Sequence, residues 1–337
     1  MLDLCEALGW IEPEHYIDSP QASVEQLTRF HTPDYIAALM RVETAQAVSE
    51  AERARHHLGA HGNPIYREVF RRPATGAGGM ILAARLTAEE GGVVHVPGGG
   101  THHGMPDRAA GFCYLNDTVL GLLAWLDLGL TRLLYVDIDA HHGDGVQDAF
   151  HDDDRVLTVS VHEANRWPFT GALDDRAGGM ARNIPVPTGF NDSEMAHVLH
   201  HAILPLAERF RPEGIMLQCG ADALEEDPLA RLSLSNNAHR AVALALREIA
   251  PRLIVTGGGG YNPWTVARCW AGVWGTLNDF PLPPRLPPRA EAVLRGLSFS
   301  RAAGRHPPEH WFTTIADAPR DGPVRAEIRQ ACEAVLR

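Results

Sequence analysis

Long apolar runs are missing from this sequence. The longest, around Val119–Leu126, is stopped by Asp127, well short of the roughly 18 residues that a membrane span needs. A basic leader is missing too: MLDLCEALGW carries Asp3 and Glu6 and no basic residue, unlike a secretory signal. Cysteine is scarce and dispersed. Cys5, Cys113, Cys219, Cys269 and Cys332 form no CxxC pair, which suits small apolar residues of a reduced, cytoplasmic chain. Positive charge is in deficit, with 30 Lys and Arg against 42 Asp and Glu and a net charge of −12. Such a surface attracts neither nucleic acid nor an anionic membrane non-specifically. Internal repeats and an obvious linker are absent as well. The Pro-rich FPLPPRLPP at 280–288 reads as a surface loop before a C-terminal helix near Gly322–Leu336.

What is present is ordinary globular composition: 337 residues, 45% hydrophobic and 21% charged. Short runs rich in Val, Ile and Leu predict strands at Val93–Val96, Leu133–Ile138, Val156–Val161, Gly214–Cys219 and Leu253–Thr256. Helical patterns lie at Ala77–Glu90, Asp117–Leu128, Asp192–Phe210, Asn237–Ile249 and Thr265–Leu277. That alternation predicts an α/β fold built from βαβ units around a parallel sheet. We read residues 1–337 as a single domain.

In open α/β sheets, ligands sit at the carboxyl ends of strands. The unusual residues fall there: PGGGTHHG (97–104), VDIDAHHGDG (136–145), GAD (220–222) and GGGGYN (257–262) each follow an expected strand. Four loops would therefore converge on one site. Asp139 and His141, two apart, point to the same side of an extended segment and can grip one metal ion. Asp222 is the best third ligand, which leaves an open, catalytic type of site. His102 and His103 suit a general acid/base pair, because imidazole titrates near neutrality. Asp137 and Asp144 are spare carboxylates able to orient them. Tyr261 could aim its hydroxyl at a developing oxyanion. The bland alternatives are a polar pair under a loop, exposed histidines and a buried, satisfied tyrosine.

Taken together, PGGGTHHG, AGFCYLND (110–117), YVDIDAHHGDGVQDAF (135–150), TVSVHE (158–163), LQCGADALEEDP (217–228) and GGGGYN resemble the zinc-dependent histone deacetylases of the arginase/deacetylase superfamily, nearest the bacterial acetoin-utilisation type. The resemblance implies a three-layer fold with a central, mostly parallel sheet. It also implies zinc at Asp139, His141 and Asp222, and a catalytic set of His102, His103, Asp137, Asp144 and Tyr261. Phe112 and Phe169 would wall an acyl-lysine channel, with Gly111 and Leu229 also along it. A structural potassium ion would sit among the carbonyls of Asp137, Asp139, His141 and Val161, with the Asp139 carboxylate and the Ser160 hydroxyl. A second potassium would use carbonyls near Phe150, Asp153 and Val156.

The implied activity is hydrolysis of acetyl-lysine amides in proteins, releasing acetate and the free amine. An acetylpolyamine or another small acylated amine is the alternative substrate. Some polyamine enzymes of the superfamily carry an acid where Leu229 stands here. An arginase-type, two-metal hydrolase is disfavoured, because Ala223 and Leu224 follow Asp222 where a second metal acid would be needed. A non-catalytic binding protein would be expected to have lost a reacting group, and none is lost. Two departures stand out. The family's first strand, with its His-Pro loop and a channel Arg, lacks a counterpart before the helix at Met1–Leu8. The acid at the substrate rim also has no clear match, with Glu50 and Glu52 the nearest. The expected consequence is that Glu14–Asp18 forms an exposed edge strand, covered by a loop or paired in a homo-oligomer.

Overall fold

The computed structural model describes residues 1–337, apart from the side chain of Ala303. Its centre is a six-stranded sheet of β1 (Gly92–Val96), β2 (Leu133–Asp137), β3 (Val156–Glu163), β4 (Ala181–Val186), β5 (Gly214–Gln218) and β6 (Arg252–Thr256). The strand order is β1-β6-β5-β2-β3-β4 and every pairing is parallel. Parallel neighbours need crossovers, and helices supply them.

The strands are apolar throughout because both faces are covered. Along β2 the side chains alternate: Leu134 and Val136 enter one core with the helices Asn236–Arg247 and Ala326–Val335. Leu133 and Tyr135 enter the opposite core with the helices Arg71–Glu90 and Asp117–Asp127. This period of two under two helical layers gives the three-layer α/β architecture expected from the sequence. The helix Pro263–Leu277 joins both the first core and a further cluster around Leu4, Trp10, Trp264 and Ile315.

Three expectations change. β4 (ARNIPV) was not foreseen. Asp192–Phe210 is not one regular α-helix, because Leu199–Ile203 forms a π turn just ahead of Pro205, whose missing N–H suits such a break. Glu14–Asp18 is not a strand. Pro13–His15 makes a 3₁₀ turn, the residues that follow are exposed, and none pairs with the sheet. Pro13 has no N–H to give a ladder, and β1 is left as the unpaired edge.

Candidate active site

Four loops do converge at the carboxyl end of the sheet. β2 and β5 are neighbours in register, with Asp137 opposite Gln218, so the chain leaving each delivers ligand-type residues to the same place. The ligand atoms of Asp139, His141 and Asp222 lie within 4.8 Å of one another. His141 Nδ1 is 3.0 Å from Asp222 Oδ2 and 3.3 Å from Asp139 Oδ1. Both carboxylates are buried, while His141 keeps 12% of its side chain exposed. Two buried acids with one imidazole that keeps a little exposure is the donor set of a divalent cation site with a free face. Among the described residues it is the one such cluster.

Backbone and side-chain donors hold these ligands in place. Asp139 Oδ2 accepts from Gly259 N at 2.8 Å and Gln218 Nε2 at 3.1 Å, and Asp222 Oδ1 accepts from Ala140 N at 2.9 Å. Gly259 has to be glycine, because a Cβ there would stand 2.1 Å from Asp222 Oδ2.

Beside the ligands stand two His–Asp pairs. His102 Nδ1 is 2.7 Å from Asp137 Oδ2, which also accepts the Tyr135 hydroxyl at 2.6 Å. His103 Nδ1 is 2.7 Å from Asp144 Oδ1. Each carboxylate fixes its ring so that Nε2 is left free. The rings are 3.9 Å apart, yet their environments differ. Burial opposes charge on His102, but Asp137 and then Asp139 outweigh it and raise the ring to about 9. Burial, and then the charge of His102, lower His103 to about 4 despite Asp144. A cation at Asp139 would cancel part of the pull on His102 and leave Asp137 as its main partner. Adjacent titratable groups driven apart in this way suit distinct acid and base roles.

The loop carrying both histidines is tied to the next motif. Asp117 Oδ1 accepts from Gly100 N and Thr101 N at 3.1 and 2.9 Å, and Asn116 Nδ2 donates to His102 O and Gly104 O. Tyr261 follows Gly260, and its ring lies 5.9 Å from that of Phe112. Burial, then Asp222 and Asp139, raise the Tyr261 phenol far above its usual range, so it stays a donor. Its backbone N–H donates to Asp227 Oδ2 at 2.7 Å, while Leu229 N donates to the other oxygen at 2.9 Å.

Phe112 is half exposed, and Phe169 is 75% exposed at the surface. The aromatic side chain packed onto the histidines is instead Trp167, 4.6 Å from the His103 ring and 6.3 Å from His141. Gly111, at φ +51°, runs against it; a Cβ there would meet Trp167 at 2.4 Å and His103 at 2.7 Å. Leu229 is partly buried and accepts from Arg166 Nη1 through its carbonyl.

Ser160 pairs in register with Asp137 across β2 and β3, and its hydroxyl is 2.9 Å from His162 Nδ1. The carbonyls of Phe150 and Asp153 each accept a local N–H. Glu52 is not at a rim: it closes a capping box with Ser49 and pairs with Arg41. Sequence reasoning missed Trp167, Asp117, Asn116, Gln218 and Asp227. The last four stand inside the motifs themselves: Gln218 ends an apolar strand, Asn116 and Asp117 open a helix and Asp227 lies in a loop. Trp167 carries no local signal.

A histone deacetylase domain model matches residues 1–277. The chain belongs to the histone deacetylase family. It is 39% identical to histone deacetylase 9 of Arabidopsis thaliana over 270 residues, covering 78% of this chain and 63% of that protein. Against histone deacetylase 1 of Homo sapiens it is 32% identical over 273 residues, covering 79% of this chain and 56% of the other. The chain thus spans less than two thirds of the length of these curated relatives. Crystal structures of a histone deacetylase homologue from Aquifex aeolicus, and of such a homologue complexed with SAHA, each superpose with a TM-score of 0.94. Each is 34% identical and covers all of this chain and 92% of the other. The family supports the three-layer fold and a metal at the buried Asp–His–Asp group. No helix among the described residues is long and apolar enough to cross a membrane.

Proposed function

We propose that this chain is a zinc-dependent amidohydrolase that removes acetyl groups from acetyl-lysine side chains of proteins, releasing acetate and the free amine. One observation carries the reading: two buried His–Asp pairs, each closed at 2.7 Å, stand beside an open Asp–His–Asp cluster and Tyr261. Zinc held by Asp139, His141 and Asp222 would supply Lewis acidity toward the amide carbonyl and acidify the attacking water. His103, neutral and with Nε2 free, takes the proton from that water and returns it to the leaving amine. His102, kept cationic by Asp137, stabilises the negative charge that develops. Tyr261 donates its O–H to the substrate oxyanion. Phe112, Gly111 and Trp167 line the approach, with Phe169 and Leu229 at its mouth. A potassium ion at Asp137, Asp139, His141, Ser160 and Val161 would brace the strand ends from behind, and a second would lie near Phe150, Asp153 and Val156.

Leu229 offers no carboxylate to a distal ammonium, and a desolvated ammonium needs one. Acetyl-lysine peptides should therefore be turned over faster than acetylspermidine at raised salt, with one zinc per chain. Asp222→Ala should lose both the metal and the hydrolysis. Two tightly held transition-metal ions per chain, or a tenfold preference for acetylspermidine, would replace this reading.

A further inference from the structure

A second cleft opens beside the approach to the ligand cluster, and its chemistry is different. About 270 Å³ in volume, it shares Gly111 and Trp167 with the approach. His57, His61 and Arg108 edge it, and the buried Asp144 lies at its inner end.

The segment that carries the two histidines is anchored to the same wall. Asn63 Oδ1 accepts the N–H of Phe112 at 3.0 Å, and Asn63 Nδ2 donates to His57 O at 3.3 Å. A Cβ at Gly62 would stand 3.8 Å from the Phe112 ring. His57 and His61 both take left-handed backbone, with φ of +55° and +50°. That conformation is uncommon outside glycine and persists where the surroundings impose it. It sets the two rings 4.6 Å apart at the lip of the cleft.

Charge at this lip runs against that of the molecule, which is −12 overall. The helix Glu50–His56 ends in Arg53, Arg55 and His56, directly before His57. Asp34 neutralises Arg55, whereas Arg53 gives an N–H to Gly59 O and meets no carboxylate among the described residues. Two acids stand near the lip, and both are engaged. Asp107 accepts one N–H of Arg108 at 2.9 Å, and Asp144 accepts from His103 and Gly145. The other N–H groups of Arg108 have no partner among the described residues. Burial, and then repulsion by His61 and Arg108, lower the His57 ring, and an arriving anion would relieve that repulsion.

From the cleft, the wall it shares with the approach and this local excess of N–H donors, we infer that His57, His61 and Arg108 bind a carboxylate of the substrate. They thereby select acyl-lysine that has an acid close by, an inference that rests on the acyl-lysine reading above. The acyl end of such a substrate points inward to the ligand cluster. The carboxylate at the lip therefore belongs to the other side of the scissile amide. It is a flanking Asp or Glu, or the main-chain terminus of a C-terminal acyl-lysine. Two imidazoles and the free N–H groups of a guanidinium can meet both oxygens of one carboxylate.

The test uses the zinc-loaded full chain and blocked peptides with a central acetyl-lysine among alanine and glycine. Separate arms place Glu before the acetyl-lysine, Glu after it, Arg at the same places, or no charge. A further pair ends in acetyl-lysine, as free carboxylate or as amide. A chain of this negative charge repels an anionic peptide, so without the lip the neutral peptide should win. One acidic arm should instead exceed the neutral one at least about fivefold in kcat/KM at low salt, mainly through KM, and by less at high salt. Which arm it is names the source of the carboxylate. Arg108→Glu should bring that ratio below one. His57→Asn with His61→Asn should lower it, since asparagine tolerates left-handed backbone and keeps the loop. Binding of the same peptides to Tyr261→Phe, followed by fluorescence anisotropy, reads the lip without turnover. No turnover of any peptide, with acidic ones still bound more tightly, would remove the deacetylase reading and support the lip. No advantage of any acidic arm in either measurement, or an advantage that survives Arg108→Glu unchanged, would overturn the inference.

Discussion

Asp227 is not one of the three metal-type ligands, yet it fixes where the Tyr261 backbone stands. It receives the backbone N–H of Tyr261 on one oxygen and that of Leu229 on the other. Burial, and then repulsion by Asp222, raise its carboxyl to about 7. Removing a buried acceptor strands its donors, at a cost of about 1–3 kcal/mol. Asp227→Ala should therefore lower kcat while leaving KM nearly unchanged, because the tyrosine hydroxyl acts on the transition state. Tyr261→Phe should cost about 10²–10³ in kcat, as loss of one oxyanion donor does. In the double variant the two losses should not add, since the first acts by misplacing the hydroxyl that the second removes. Full additivity in steady-state kinetics would separate Asp227 from the tyrosine. Gly111→Ala tests the opposite wall. Its Cβ collides with Trp167 and His103 at a left-handed φ, so activity should fall well below wild type even where circular dichroism shows a folded chain. An active Gly111→Ala enzyme would place the approach elsewhere.

Between residue and fold, His31 links two elements of the site. Its Nε2 accepts the N–H of Asn116 and its Nδ1 donates to Met105 O, each at 3.0 Å. Asn116 in turn caps the helix Asp117–Asp127 and binds the carbonyls of His102 and Gly104. A protonated ring would lose its acceptor. Burial lowers His31 to about 4, against the pull of Met105 O, whereas an unfolded histidine titrates near 6.5. Between those values the unfolded chain takes up a proton that the folded one refuses. Stability from this group is complete above about pH 6.5 and declines as pH falls toward 4, by on the order of 3 kcal/mol. His95 and His162, lowered to about 4 and about 3 mainly by burial, add in the same direction. Chemical denaturation from pH 7 to 4.5 should show a shallower decline for His31→Gln than for wild type.

At this same scale, five strands and the convergence of four loops were legible, because uninterrupted Val, Ile and Leu runs ended in Gly, Asp and His. β4 was not. Arg182, Asn183 and Pro185 break its pattern, and an edge strand tolerates them, since Pro185 need not donate outward. Both His–Asp pairs and the three ligands could be chosen by residue type and position. Trp167 could not, because only the path of the loop after β3 brings it over His103.

Over the whole molecule, all thirty basic side chains are arginine, and the sequence contains no lysine. A chain proposed to act on acyl-lysine thus carries no lysine of its own to be acylated or to compete for its site. Arginine keeps its charge under any acylating agent that attacks amines. Treatment with acetic anhydride at mild pH should leave at most one amine-linked acetyl group, at the N-terminus by intact-mass measurement, with activity retained. Loss of activity in step with that single modification would show that Met1 matters to the site.

The strand order has a further consequence, for the sequence in which the molecule comes apart. The ligands leave β2 and β5, which lie side by side with a strand on each outer flank, whereas β1 has a neighbour on one side only. Local opening begins where the fewest hydrogen bonds must break. Under mild denaturant the β1 amides should exchange with solvent through small fluctuations, while those of Tyr135 and Met216 wait for global unfolding. The metal cluster would then outlast the loss of the edge, but catalysis would not, because the loop carrying His102 and His103 leaves β1 directly.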